Sequence, residues 1–262
     1  MTHPMKLTVR AELVYRFEPP TPAVFKIQAA HWPGQTILDE TLVVTPPVDF
    51  RVDIEPDSGA RMLRAELSGE VSVRYEATVD NGVLQILPPG LAQDDWTEMP
   101  PEMLTWVWPS RYCPSDAFVR FALREFDGKR GSDRVLAILD WINRHIDYVP
   151  GVSNAETTAS RTFIDRAGVC RDFSHLGITL CRASGIPARA VSAYAHQLAP
   201  PDFHAIFEVY LAGSWWLVDP TGLAPIGGIV RIACGHDAAD IAFLSTQGFA
   251  DLVWQSVTVN EG

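Results

Sequence analysis

Basic residues are scarce in this chain. Lys and Arg total 21 against 32 Asp and Glu, a formal net charge of −11. Nucleic-acid binders gain much of their affinity by neutralising phosphates, so this excess of acid argues against that class. It argues equally against docking on anionic lipid. Long hydrophobic runs are missing as well: nothing approaches the roughly 18 apolar residues of a membrane-spanning helix. Met1 to Phe17 alternates polar and apolar residues and lacks the continuous apolar core of a secretory leader, so no signal peptide is expected. The only cysteines are Cys113, Cys170, Cys181 and Cys234, with no C-x-x-C pair among them. A disulfide scaffold is thereby excluded and a reduced, cytoplasmic setting expected. Zinc held by Cys170, His175 and His204 would lack both the short paired ligand spacing and a fourth ligand. The default for each thiol is a small buried hydrophobe.

What the chain does have is a globular composition, 47% hydrophobic and 20% charged over 262 residues. That is enough for one large domain or two modest ones. The first hundred residues read as strands. Between Leu7 and Phe17 every odd position is apolar, the mark of a half-buried strand. Val48 to Ile54 and Val71 to Ala77 repeat the alternation, and Phe25 to Ala29 and Thr41 to Val44 show it more weakly. Pro- and Gly-rich breaks such as Pro19-Pro20, Pro46-Pro47 and Asp80-Asn81-Gly82 separate these runs. Short strands at this spacing predict an antiparallel, sandwich-like β domain over residues 1–100.

Past Pro88-Pro89-Gly90 and Met99-Pro100-Pro101 the pattern turns helical, opening a second domain over 101–262. Ser115-Asp116 and Ser132-Asp133 read as caps of two helices, and a third is expected from about Ala159 to Arg166. Another should run from Cys170 to about Ser184, stopped by Gly185 and Pro187. Strands then return at Ala188–Tyr194, Phe203–Leu211, Trp215–Asp219 and Leu252–Val259. Helices followed by antiparallel strands make the whole chain α+β.

Cys170 stands out among the thiols by its place at a helix N-terminus. Unpaired N–H groups and the helix dipole favour a thiolate there, and the same groups can hold an oxyanion. Cys181 lies about 16 Å further along the helix and lacks that advantage. A thiol nucleophile needs a base. His175 is close in sequence, but five residues carry it some 140° round the helix. His204, at the start of a strand, is better placed. If Gly213-Ser214 forms the turn of the following hairpin, Asp219 falls opposite Glu208. It is then on the right face but about 13 Å from His204 along the strand.

Three segments together, Gly168-Val169-Cys170-Arg171-Asp172-Phe173-Ser174-His175-Leu176, Phe203-His204-Ala205 and Trp216-Leu217-Val218-Asp219-Pro220-Thr221, resemble the transglutaminase-like superfamily, most of all its bacterial cysteine-protease branch. Gly235 to Phe243 is similar to a further segment of that family. The chain departs from the family pattern at Ser174, where alanine is usual, and at His236, where arginine is usual. The resemblance implies an N-terminal β domain joined to a papain-like core. It also implies a catalytic triad in which Cys170 is the nucleophile, His204 the base and acid, and Asp219 the orienter of the imidazole. The reaction implied is amide hydrolysis or acyl transfer through a thioester, on a peptide or amide substrate that can include protein glutamine side chains. No cofactor or metal is required. Transglutaminase-type cross-linking or deamidation, an amidase acting on a cell-wall peptide or polyamide, and a non-catalytic interaction module are the alternatives. The Cys170 N–H and a donor from the preceding segment would hold the oxyanion. Asp172 and His175 are expected on the helix surface or in support. Trp215 or Trp216 could line an acyl groove, and Trp106 and Trp108 are expected at the domain interface.

Overall fold

The computed structural model describes residues 1–262. Its chain order begins with four strands, β1 (Lys6–Phe25), β2 (Thr36–Thr45), β3 (Arg51–Ile54) and β4 (Arg61–Asp80). The helical part follows with α1 (Pro101–Leu104), α2 (Val119–Glu125) and α3 (Gly131–His145). Next come the two-residue β5 (Asp147–Tyr148), α4 (Ala159–Asp165), the two-residue β6 (Ala167–Gly168) and α5 (Cys170–Ala183). The chain finishes through β7 (Ala188–Ala195), β8 (Phe203–Leu211), β9 (Ser214–Val218), β10 (Ile229–Gly235), α6 (Ala238–Ile241), β11 (Leu244–Thr246) and β12 (Ala250–Glu261). The architecture is α+β, with a sheet-rich N-terminal region leading into a helix-on-sheet core.

In the first sheet, β1 and β4 pair antiparallel along almost their whole length. The alternation seen in sequence is realised: Leu7, Val9, Ala11, Leu13 and Phe17 are buried, while ion pairs such as Arg10–Glu76 and Arg74–Glu12 cross the outer face. A straight strand would set Tyr15 and Phe25 about 33 Å apart. Their ring centroids are 5.9 Å apart, so β1 doubles back on itself. The fold falls at Glu18-Pro19-Pro20, where pairing to β4 shifts between Phe17 and Thr21 and where proline supplies no ladder N–H. The sandwich-like layering expected from sequence thus comes from one folded sheet of six strands.

Two of those six strands are the last in the chain. β12 pairs with residues 7–17 of β1, and β11 with residues 23–25. The strand anticipated at Leu252–Val259 therefore leaves the second half of the chain and completes the first sheet. Alternation tells which face of a strand is buried but not which partner it takes, and the free edge of β1 needed covering.

The second sheet has the order β10-β7-β8-β9, antiparallel throughout. α5 lies on it, and all eight residues of β7 are buried. Gly177 allows the close approach: a Cβ there would sit 2.7 Å from the Phe207 ring. Val135, Ile138 and Ile142 of α3 join the same core as Leu176 and Leu180 of α5. Ser132 is not the cap of α3. The helix starts at Gly131, and the Ser132 hydroxyl accepts the Leu91 N–H at 2.9 Å, tying the 90s linker to the helix.

Candidate active site

The position of Cys170 is set by its flanks. β5 and β6 form a parallel pair with Tyr148 opposite Gly168, closed by Val149 N donating to Gly168 O at 2.9 Å. Gly168 is required, because a Cβ would meet that of Asp172 at 2.7 Å. Asp172 folds back to accept the Val169 N–H at 2.9 Å, which caps α5. Its other oxygen takes Arg171 Nη2 at 3.0 Å. Cys170 is thereby fixed as the first residue of a 14-residue helix. It is half-buried, whereas Cys113, Cys181 and Cys234 are buried. Burial pushes the Cys113 thiol up to about 12 and the Cys234 thiol up to about 11, and raises Cys181 as well. Those three remain protonated and shielded.

His204 and Asp219 meet. Nε2 of His204 donates to Oδ2 of Asp219 at 2.9 Å, with both side chains almost fully buried. The hairpin explains how. Its turn residues are Ala212 and Gly213, at φ +51° and +75°, not Gly213 and Ser214. Leu211 pairs with Ser214 and Phe207 with Val218, which carries Asp219 opposite Ile206, two residues closer to His204 than expected. A slip of two residues keeps every side chain on its face, so hydrophobic alternation could not detect it. An added tie is the Gly213 N–H, which donates to Asp94 Oδ1 at 3.1 Å. Oδ1 of Asp219 accepts from both the N–H and the hydroxyl of Thr221, at 2.8 and 2.7 Å.

Burial disfavours charge on His204, but the bond to Asp219 and the neighbouring Cys170 outweigh it, and the imidazole pKa rises to about 9. Burial would raise Asp219; the hydrogen bond to His204 and the bonds from Thr221 hold it below the usual carboxylate range instead. With Nε2 committed, Nδ1 of His204 has no partner within the protein. Cys170 and His204 line one cavity of about 350 Å³. Ser174, one turn after Cys170, donates its hydroxyl to Ala205 O at 2.9 Å, beside His204, and so ties α5 to β8. This chain's departure from alanine at that position has a structural use.

His175 is not among the residues lining that cavity, and it is buried rather than on the helix surface. It stacks on Tyr112 at 5.1 Å, and its Nε2 accepts the Ala238 N–H at 3.1 Å. Burial pushes its pKa down to about 4, so it is neutral. Asp172 too is wholly buried. Neither Trp215 nor Trp216 reaches the cavity. Trp215 lies under the Arg189 guanidinium at 4.0 Å, and Trp216 donates to Leu211 O. Trp106 stacks on His236 at 4.5 Å, and Trp108 packs edge-on against Trp96. A larger hollow of about 920 Å³ between Gly90 and Arg144 holds neither Cys170 nor His204, and its charges balance.

Tyr148 was missed by sequence reasoning. The β5–β6 pairing sets it against Cys170, and burial first, then the adjacent Cys170, push its phenol up to about 12. It is a proton donor at neutral pH. Only a two-residue bridge places it, and no sequence period reveals one.

Fold and site together define a transglutaminase-like protein, with a cysteine at a helix N-terminus sharing a cavity with a strand histidine, itself bonded to an aspartate just past the end of the neighbouring strand. Residues 123–220 match the model of the transglutaminase-like superfamily, and residues 5–87 match the bacterial transglutaminase N-terminal domain. A solved structure of a candidate cysteine protease from Cytophaga hutchinsonii is 39% identical, with a TM-score of 0.93, covering 99% of this chain and 91% of that one. An uncharacterised protein of Mycobacterium leprae is 28% identical over 203 residues, covering 70% of this chain and 71% of its own. One from Mycobacterium tuberculosis is 26% identical over 232 residues, 74% of each chain. The chain belongs to the transglutaminase-like superfamily.

Proposed function

We propose that the protein is a cysteine-dependent amide hydrolase. The observation that carries this reading is the 2.9 Å bond between His204 Nε2 and Asp219 Oδ2, made by an imidazole that lines the same cavity as Cys170. The Cys170 sulfur, as thiolate, attacks the carbonyl carbon of a peptide or amide, and a carbon–sulfur bond forms. The oxyanion is held by the Cys170 N–H and the Tyr148 hydroxyl. The carbon–nitrogen bond breaks as imidazolium His204 gives its proton to the departing amine. Water, deprotonated by the now neutral His204, attacks the thioester. The acid leaves, and thiolate and imidazolium are restored. Asp219 keeps the ring in the orientation and charge state that both steps need. No metal or organic cofactor is called on.

Hydrolysis is preferred to transfer onto an amine because the similar Cytophaga protein is a candidate cysteine protease. Trapping the thioester tests the proposal. Rapid acid quench of the enzyme with a p-nitrophenyl ester or activated peptide should show an acyl adduct on the peptide containing Cys170. Absence of that adduct, with the acyl group found elsewhere or nowhere, refutes it.

A further inference from the structure

Resting on the thioester reading above, we infer that the cavity beside Cys170 receives an apolar side chain of the acyl donor, and that the sheet built from the two ends of the chain supplies the selecting wall. The walls come from three distant parts of the sequence. Tyr15 belongs to β1, Tyr112 to the loop before α2, and Phe203 to β8, while Ile241, Phe243 and Leu244 lie on the crossing from α6 to β11. About 350 Å³ accommodates a phenylalanine or leucine side chain together with part of its backbone.

Charge in the cavity is already committed. Arg171 lines it, but its Nη2 donates to Asn154 O and Asp172 Oδ1. The charge of His204 is matched by Asp219. A Lys or Glu side chain entering would lose its hydration without a partner. An apolar one gains by leaving water.

The wall is fixed by the first sheet. Between Val14 and Tyr15 the partner on β12 jumps from Trp254 to Leu252, so the ladder bulges beside Tyr15. Bulges of this kind twist a strand and re-aim its side chains. Phe243 is stacked on Phe203 with centroids 3.9 Å apart, and its carbonyl accepts the Lys26 N–H at 3.0 Å. The returning C-terminal strands thus place both sides of the wall.

The test uses the full-length protein and dipeptidyl chloromethyl ketones carrying Phe, Leu, Gln, Lys or Glu at either position. Labelling of Cys170 is followed by mass spectrometry, and each rate is divided by that of iodoacetamide on the same variant. Phe and Leu reagents should react at least about tenfold faster than Lys and Glu reagents, a margin of about 1.4 kcal/mol. Tyr15→Ser should narrow that ratio, and Leu244→Arg should raise the relative rate of the Glu reagent. Thermal midpoints establish that both variants are folded. If Lys, Glu or Gln reagents match or exceed Phe while iodoacetamide still labels Cys170 selectively, the apolar assignment falls and the thioester reading survives. If iodoacetamide does not select Cys170, both fall.

Discussion

His204 and Asp219 sit 15 residues apart in sequence and 2.9 Å apart in space, joined by a hairpin whose turn residues, Ala212 and Gly213, both lie in the left-handed region. The turn sets the strand register, the register brings the carboxylate to the imidazole, and the carboxylate raises the imidazole pKa. Each step can be tested separately.

Ala212 pays a steric penalty at φ +51° that glycine does not. Ala212→Gly should stabilise the protein by about 0.5–1 kcal/mol, measured by urea denaturation, with activity unchanged. Inserting one residue into the turn should flip the faces of the second strand or force a bulge, with loss of activity.

Cys170 should be the thiol that iodoacetamide modifies in the native protein near pH 7, because the other three are buried and two of them are held at about 11 and 12. Peptide mapping should show the label lost in Cys170→Ala and kept in Cys181→Ala. Equal labelling of all four cysteines before unfolding would contradict the site described.

Replacing Asp219 by Asn removes the strongest influence raising the His204 pKa. The imidazole should then titrate well below 9 by NMR, and kcat should fall by roughly 10²–10⁴. An unchanged His204 titration in this variant would show that the hydrogen bond does not govern the ring.

The pH dependence has a defined sign. His204 binds its proton more tightly folded, at about 9, than unfolded, near the ordinary value of 6.5. The stabilisation is therefore complete below about 6.5, shrinks as pH rises above it, and is gone past about 9. The difference in Tm between wild type and His204→Gln should narrow over that interval. Activity that depends on imidazolium as the acid should decline with an alkaline limb near 9. His175 has the opposite sign. Its pKa is lowered to about 4, so its contribution is present above about 6.5 and is lost as pH falls toward 4.

Tyr148→Phe keeps the ring and removes the donor. If the hydroxyl holds the oxyanion, kcat should fall by about 10²–10³ with little change in KM. A change confined to KM would assign Tyr148 to substrate binding instead.

Much of the molecule was legible in the residues. Strict alternation from Leu7 to Phe17 marked a buried strand face, and the span from Cys170 to Ser184, bounded by Gly185 and Pro187, gave the boundaries of α5 to within a residue. Other features depended on pairings that leave no periodic trace. Alternation did not reveal the doubling of β1, the return of β12 to the first sheet, or the two-residue slip of the hairpin. Tyr15 shares its alternation with the rest of its strand, and Tyr148 sits in a two-residue bridge with no period of its own.

The sequence by itself determined which strand faces turn inward and singled out Cys170, His204 and Asp219 as candidates, because residue type and local periodicity act over a few neighbours. Tertiary structure alone decided the distance from His204 to Asp219, the phenol beside Cys170 and the wall that the chain's two ends raise over the cavity. Those depend on strand register and long-range pairing, where shifts of two residues preserve every local pattern and yet move a side chain by about 7 Å.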